Sequence, residues 1–105
     1  MEIRRSTYFV LAALLDGPLH GYGIIKRAAE LSGGEVRLST GTLFGALDRL
    51  VESGLVEAGE EEKVEGRVRR SYRLTDDGNA ALAAEARRLR RAARIVEARV
   101  PRAAT

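Results

Sequence analysis

The run LSTGTLFGALDRLVESGLV at positions 38–56 constrains the fold of this chain more than any other stretch. It encodes one short helix with a marked start, one buried stripe and a marked stop, followed at once by a strand. Ser39 can cap the helix by accepting a hydrogen bond from a backbone N–H of the first turn, where those donors have no partner within the helix. Leu43, Leu47, Leu50 and Val51 recur at helical spacing and form the apolar face, and Gly54 supplies a left-handed stop. The opposite face carries Thr40, Gly41, Thr42, Gly45, Asp48, Arg49 and Glu52. Its first turn is small and rich in hydroxyls, so it can approach a phosphate backbone or a base edge without steric obstruction.

The flanking segments supply a frame for this helix. Arg4 or Arg5 to Leu15 reads as a first helix, stopped by Asp16-Gly17-Pro18, because proline cannot continue the hydrogen-bond ladder. A second helix runs from about His20 or Gly21 to Ser32, with Ile24, Ile25, Ala28 and Leu31 as its apolar positions and Gly33-Gly34 beyond it. With the Ser39 helix it makes a helix-turn-helix whose turn, Glu35 to Leu38, is longer than the tightest examples. Leu55 to Ala58 and Val68 to Leu74 read as two antiparallel strands, with Tyr72 and Leu74 as core anchors. The charged stretch Gly59 to Arg67 is expected to form a long hairpin tip. The expected class is therefore mostly α with a small β-hairpin: a winged helix-turn-helix over residues 1–75.

Thr75-Asp76-Asp77-Gly78 opens a last long helix, with Thr75 as cap and two aspartates at the positive end of its dipole. Within it Leu82, Ala86, Leu89, Ala93, Val96 and Val100 are spaced 4-3-4-3-4, a heptad seam. A helix this polar elsewhere gains little from lying alone on a small domain, so residues 76–100 are expected to pair with a second copy. Pro101 is expected to end the helix and 101–105 to form a flexible tail.

The chain has 105 residues and a formal charge of +3, compatible with one small domain and with a nucleic-acid partner. Without cysteine there is no disulfide or thiolate chemistry, and the cytoplasm is the expected compartment. No stretch approaches the length of a membrane span. His20 is the only histidine, so neither a catalytic centre, a metal site nor a cofactor is expected, and no phosphate-binding glycine loop has the required spacing.

The blocks GPLHGYGIIKR at 17–27, LSTGTLFGALDRLVESGLV at 38–56 and RRSYRLTDDG at 69–78 resemble the PadR family of bacterial transcriptional regulators, in the right order. The single terminal helix is similar to that of the short-chain PadR subgroup. The resemblance implies a homodimeric winged-helix repressor whose third helix enters the major groove and whose wing touches the flanking backbone. Carried onto this chain, the DNA-contacting positions are Ser39, Thr40, Gly41, Thr42 and Phe44 on the recognition motif and Arg67, Arg69 and Arg70 on the wing. The residue reading adds Arg49 and Lys63, and expects the Arg67 to Arg70 side of the hairpin to bind while Glu60, Glu61, Glu62 and Glu65 point away.

Some members take a small hydrophobic or aromatic effector at the dimer interface, and binding weakens operator affinity. This chain departs from the pattern in three ways. Phe44 replaces a usual tyrosine, Gly23 replaces a larger residue, and the tryptophan that some members stack against ligands is absent. The expected partner is double-stranded DNA carrying an inverted repeat. The competing expectation is a winged helix that docks on a protein.

Overall fold

A computed structural model describes residues 2–101 of the chain. The elements run α1 (Arg5–Ala13), β1 (Leu19–His20), α2 (Gly21–Leu31), α3 (Thr40–Glu52), β2 (Val56–Val64), β3 (Arg67–Leu74) and α4 (Asp76–Glu97). This is the winged helix-turn-helix with a long terminal helix. The three strands form one antiparallel sheet in the order β1-β3-β2.

One apolar cluster joins all the helices to the sheet. Val10 and Leu11 of α1, Ile24 of α2, Leu43, Leu47 and Leu50 of α3, Val56, Tyr72 and Leu74 of the strands, and Leu82 of α4 are buried together. Burying each aliphatic side chain of this size contributes about 1.5–3 kcal/mol, so this cluster is the main force holding the sheet under the helices. Tyr72 and Leu74 anchor it from β3 as their alternation requires. The buried stripe of α3 includes Ala46 in place of Val51, which is exposed.

The termini of α3 are as the sequence encodes them. The Ser39 hydroxyl accepts from Thr42 N–H at 3.2 Å. At the other end Leu55 N donates to Leu50 O and Gly54 N to Val51 O, each at 3.0 Å. This paired closure places Gly54 at φ +78°, where a side chain would be strained.

Four features differ from the sequence expectation. The first helix ends at Ala13, two residues before Leu15, in a series of tight turns. Leu19 and His20 form a short strand paired to Tyr72 and Ser71, which two residues after a proline do not announce by alternation. The Gly59 to Arg67 stretch is no open loop: β2 continues to Val64 and only Glu65-Gly66 turn, both with positive φ as a two-residue hairpin needs. Its charges hid the strand because the hairpin extends past the core and both faces are wet. Finally, α4 ends at Glu97, since the residue before a proline is disfavoured in the helical conformation, and Val100 lies past the helix. Pro101 is exposed, and the remainder of the expected tail, 102–105, lies outside the described residues. No helix of the described residues is long and apolar enough to cross a membrane.

The start of α4 is set by a close approach. A Cβ on Gly78 would stand 2.0 Å from Leu55 O and 3.1 Å from Leu74 Cδ2. Alanine is favoured over glycine inside a helix by about 1 kcal/mol, so propensity alone predicts that Gly78→Ala stabilises. The backbone contact predicts the reverse. Overpacking should outweigh the gain and lower Tm by roughly 4–8 °C per kcal/mol lost, measured by thermal denaturation.

Candidate nucleic-acid interface

The first turn of α3 is exposed, and grooves lie on either side of the helix. Toward the wing, a groove of about 340 Å³ is lined by Thr40 and Phe44 of α3, His20, Gly21 and Tyr22 at the start of α2, and Glu61, Arg67, Val68, Arg69, Arg70 and Tyr72 of the hairpin. Toward α1, a groove of about 520 Å³ is lined by Thr42, Ala46, Arg49 and Leu50 together with Leu38, Glu2, Arg4, Ser6, Thr7 and Val10. The predicted positions Thr40, Phe44, Arg67, Arg69 and Arg70 thus meet in one groove. Thr42 and Arg49 belong to the other.

Each side chain has a local reason for its position. Ser39 is committed to the helix end, since its hydroxyl also donates to Thr42 Oγ1 at 2.9 Å. Thr40, Gly41 and Thr42 stand exposed in the turn that it caps. Arg49 folds back along the helix, with its Nη1 3.7 Å from where a Cβ on Gly45 would sit, so the guanidinium reaches toward the polar first turn.

Phe44 rests on bare backbone: a Cβ on Gly21 would fall 2.8 Å from its Cζ. Its ring centroid lies 6.5 Å from that of Tyr72, and 43% of the residue remains exposed to the groove. Burial raises the Tyr72 phenol above its usual range; Asp48 adds to this and Arg70 opposes it. The phenol is therefore neutral and keeps its O–H donor.

The hairpin separates its cations into two sets. Arg70 pairs with Glu61 at 2.9 Å and Arg73 with Glu57 at 2.6 Å. Lys63, Arg67 and Arg69 make no ion pair among the described residues. The acidic residues of β2 do not all turn away from the binding side as expected, because Glu61 lines the same groove as Arg70.

Charge is also unevenly divided along the chain. Residues 1–75 hold eleven basic and eleven acidic side chains, so the whole excess of +3 falls after Thr75. Several groove residues were not expected at the site, among them Arg4, Tyr22 and His20. Tyr22 is 79% exposed beside the wing, and its only signal was an aromatic ring out of phase with Ile24, Ile25 and Ala28. His20 also lines the groove, in the short strand, and makes no side-chain cap to α2.

The family model for the PadR-like transcriptional regulators matches residues 10–84. The chain belongs to this family. It is 40% identical over 87 residues to the transcriptional regulator Rv3488 of Mycobacterium tuberculosis, in a match covering 83% of this chain and 78% of that one. It is 41% identical over 102 residues to an uncharacterized 37.1 kDa protein in transposon TN4556 of Streptomyces fradiae, where it spans 96% of its own length but only 28% of the relative. The crystal structure of Bacillus subtilis PadR in complex with operator DNA superposes with a TM-score of 0.66 at 25% identity, over 77% of this chain and 46% of that one. This PadR-like chain is thus a member of a family of transcription regulators.

The cap at the leading edge can be tested separately from any DNA contact. Ser39→Ala should cost about 1 kcal/mol of stability, and Ser39→Asp should recover most of it because aspartate caps equally well. Thermal melts of the two variants check this. An aspartate variant as unstable as the alanine one would show that the hydroxyl is not the cap.

Proposed function

We propose that this PadR-like regulator is a cytoplasmic, sequence-specific DNA-binding repressor that acts as a homodimer on an inverted-repeat operator. The observation that carries the reading is the capped, small and polar first turn of α3 standing between two grooves. Basic side chains flank it on both sides, in a fold whose Bacillus subtilis relative was crystallised with operator DNA. Thr40, Gly41 and Thr42 are small enough to bring the helix against base edges. Arg49 lies within reach of a guanine edge or a phosphate. Lys63, Arg67 and Arg69 are available to the flanking backbone, with Arg70 beside them. Ser39 serves chiefly as the cap and Phe44 as packing against Gly21.

The dimer reading rests on α4 and on the face of α1 beside it. Leu82 is only 5% exposed and belongs to the chain's own core, leaving Ala86, Leu89, Ala93 and Val96 as the seam. Leu89 and Val96 are 40% and 58% exposed, and Ile95 adds to them. Two grooves of about 400 Å³ each lie between the helices. One is lined by Ile3, Tyr8, Phe9 and Leu89, the other by Tyr8, Ala12, Leu15, Ala83 and Ala86. Glu85 and Arg88 close the first, where the Arg88 hydrogen bond holds the Glu85 carboxyl below its usual range.

Apolar surface of this extent on a projecting helix is covered most simply by the same face of a second copy. In such a dimer residues 1–75 act as the DNA-binding part and 76–100 as the pairing helix. A small hydrophobic or aromatic effector would enter beside Tyr8 and Phe9. It would release DNA only by favouring an arrangement in which the two α3 helices no longer match successive major grooves about 34 Å apart.

Two measurements test this reading. Titration of the duplex beside the chain's own coding region at several salt concentrations should show affinity falling steeply with salt. Arg69→Ala should lower the salt slope by about one and Arg49→Ala should cost about 1–3 kcal/mol of operator binding. Binding that ignores salt and both substitutions would favour docking on a protein instead, which the neutral winged part would suit. Independently, Leu89→Glu should give monomers by light scattering and lose tight operator binding together; a dimer that survives would place the interface elsewhere.

A further inference from the structure

The winged hairpin carries no net charge: Lys63, Arg67, Arg69, Arg70 and Arg73 are balanced by five glutamates between Glu57 and Glu65. The balance is local as well as global. Glu61 lies directly across from Arg70 in the strand register, and Glu57 across from Arg73. The bulge between Ala58 and Glu61 separates these pairs. Arg70 shares the inward face of β3 with Tyr72, so the Glu61–Arg70 pair opens onto the groove beside Thr40 and Phe44 of α3. The Glu57–Arg73 pair alternates to the outer face.

We propose that Glu61 sets specificity by occupying Arg70 with an internal carboxylate that only a correctly docked phosphate displaces. This rests on the DNA-binding reading above. An exposed cross-strand ion pair at 2.9 Å is weak, so it yields to a phosphate brought to contact distance. On a random duplex the recognition helix does not seat. No phosphate is then held against Arg70, and the carboxylate both keeps the guanidinium and repels the backbone. On the operator the seating of α3 carries the backbone into the groove, and Arg70 exchanges partners. The wing thereby lowers affinity for wrong sequences more than for the right one, which is how a difference in affinity becomes selectivity. Lys63 and Arg67 stand across from valines, and Arg69, across from Glu62, makes no ion pair with it, so these three serve both modes of binding.

The test uses the full chain and two duplexes of equal length: the one it protects beside its own coding region, and an unrelated one. Glu61→Gln should raise affinity for the unrelated duplex by roughly fivefold to tenfold near 0.1 M salt, and steepen its salt slope by about one phosphate contact. The slope on the protected duplex should stay as it was, since Arg70 already contacts it there. Glu57→Gln removes the same charge on the outer face and should leave both slopes unchanged. In an Arg70→Ala background, Glu61→Gln should no longer steepen the slope on the unrelated duplex. The inference is overturned if Glu61→Gln leaves that slope alone, if Glu57→Gln reproduces the effect, or if the effect survives without Arg70. A wild-type chain that binds neither duplex overturns the DNA-binding reading itself, and this inference with it.

Discussion

The knot formed by Gly54, Leu55, Thr75 and Gly78 fixes the relation between the two helices on which everything else turns. Thr75 Oγ1 donates to Gly54 O at 2.6 Å and Thr75 N to Leu55 O at 3.2 Å, so the last residue before α4 is bonded twice to the short connection between α3 and β2. Leu55 N in turn closes the end of α3, and Gly78 N donates to the Thr75 hydroxyl at 3.0 Å. The missing side chain at Gly78 lets the first turn of α4 sit directly on the Leu55 carbonyl. Short hydrogen bonds, two of them through the stiff β-branched side chain of Thr75, leave little freedom at this joint. On the dimeric reading, the direction of the pairing helix is thereby transmitted to the recognition helix through four residues, and the spacing of the two α3 helices depends on it.

Much of this was legible in advance because the decisive signals are local. The Ser39 and Thr75 caps, the Gly54 stop and the Tyr72/Leu74 alternation each depend on a few neighbouring residues, and each stands in the structure where periodicity places it. What was not legible depends on partners distant in sequence. The strand at Leu19–His20 exists only because β3 offers it a free edge. The second half of β2 is held by backbone pairing that a run of glutamates conceals. The exposure of Tyr22 and the inward turn of Glu61 follow from where the hairpin lies against α2 and α3, and no spacing within the chain specifies that. The heptad seam was readable as a pattern, but the point at which it leaves the monomer core, after Leu82, was not.

That point of departure has an energetic consequence. From Arg87 onward every described residue of the chain is exposed, and past Leu89, which still borders the groove against α1, about two turns of α4 continue with their side chains in solvent. Isolated helices of such length are marginal in water, and their stability in proteins comes from packing of the apolar face. Arg87, Arg90, Arg91 and Arg94 follow one another along this part and repel. A helix under these conditions keeps its shape best when Leu89 and Val96 are covered, which on the dimeric reading ties the order of the distal turns to pairing with a second copy.

The charge partition then separates two tasks that many DNA-binding domains combine. Attraction to any duplex scales with unpaired basic residues, whereas discrimination depends on contacts made only at the right sequence. A winged part with equal numbers of acidic and basic side chains has given up most of the first. Among its cations outside ion pairs, Arg67 and Arg69 on the hairpin and Arg4 and Arg49 on the other side line the two grooves that flank the first turn of α3. Any long-range attraction must come from beyond Thr75, on the helix that also carries the seam. On the DNA-binding reading, recognition in such a molecule is governed by fit between a small, capped helical turn and the duplex, with electrostatics arriving late and locally, once the backbone has entered the groove beside Phe44.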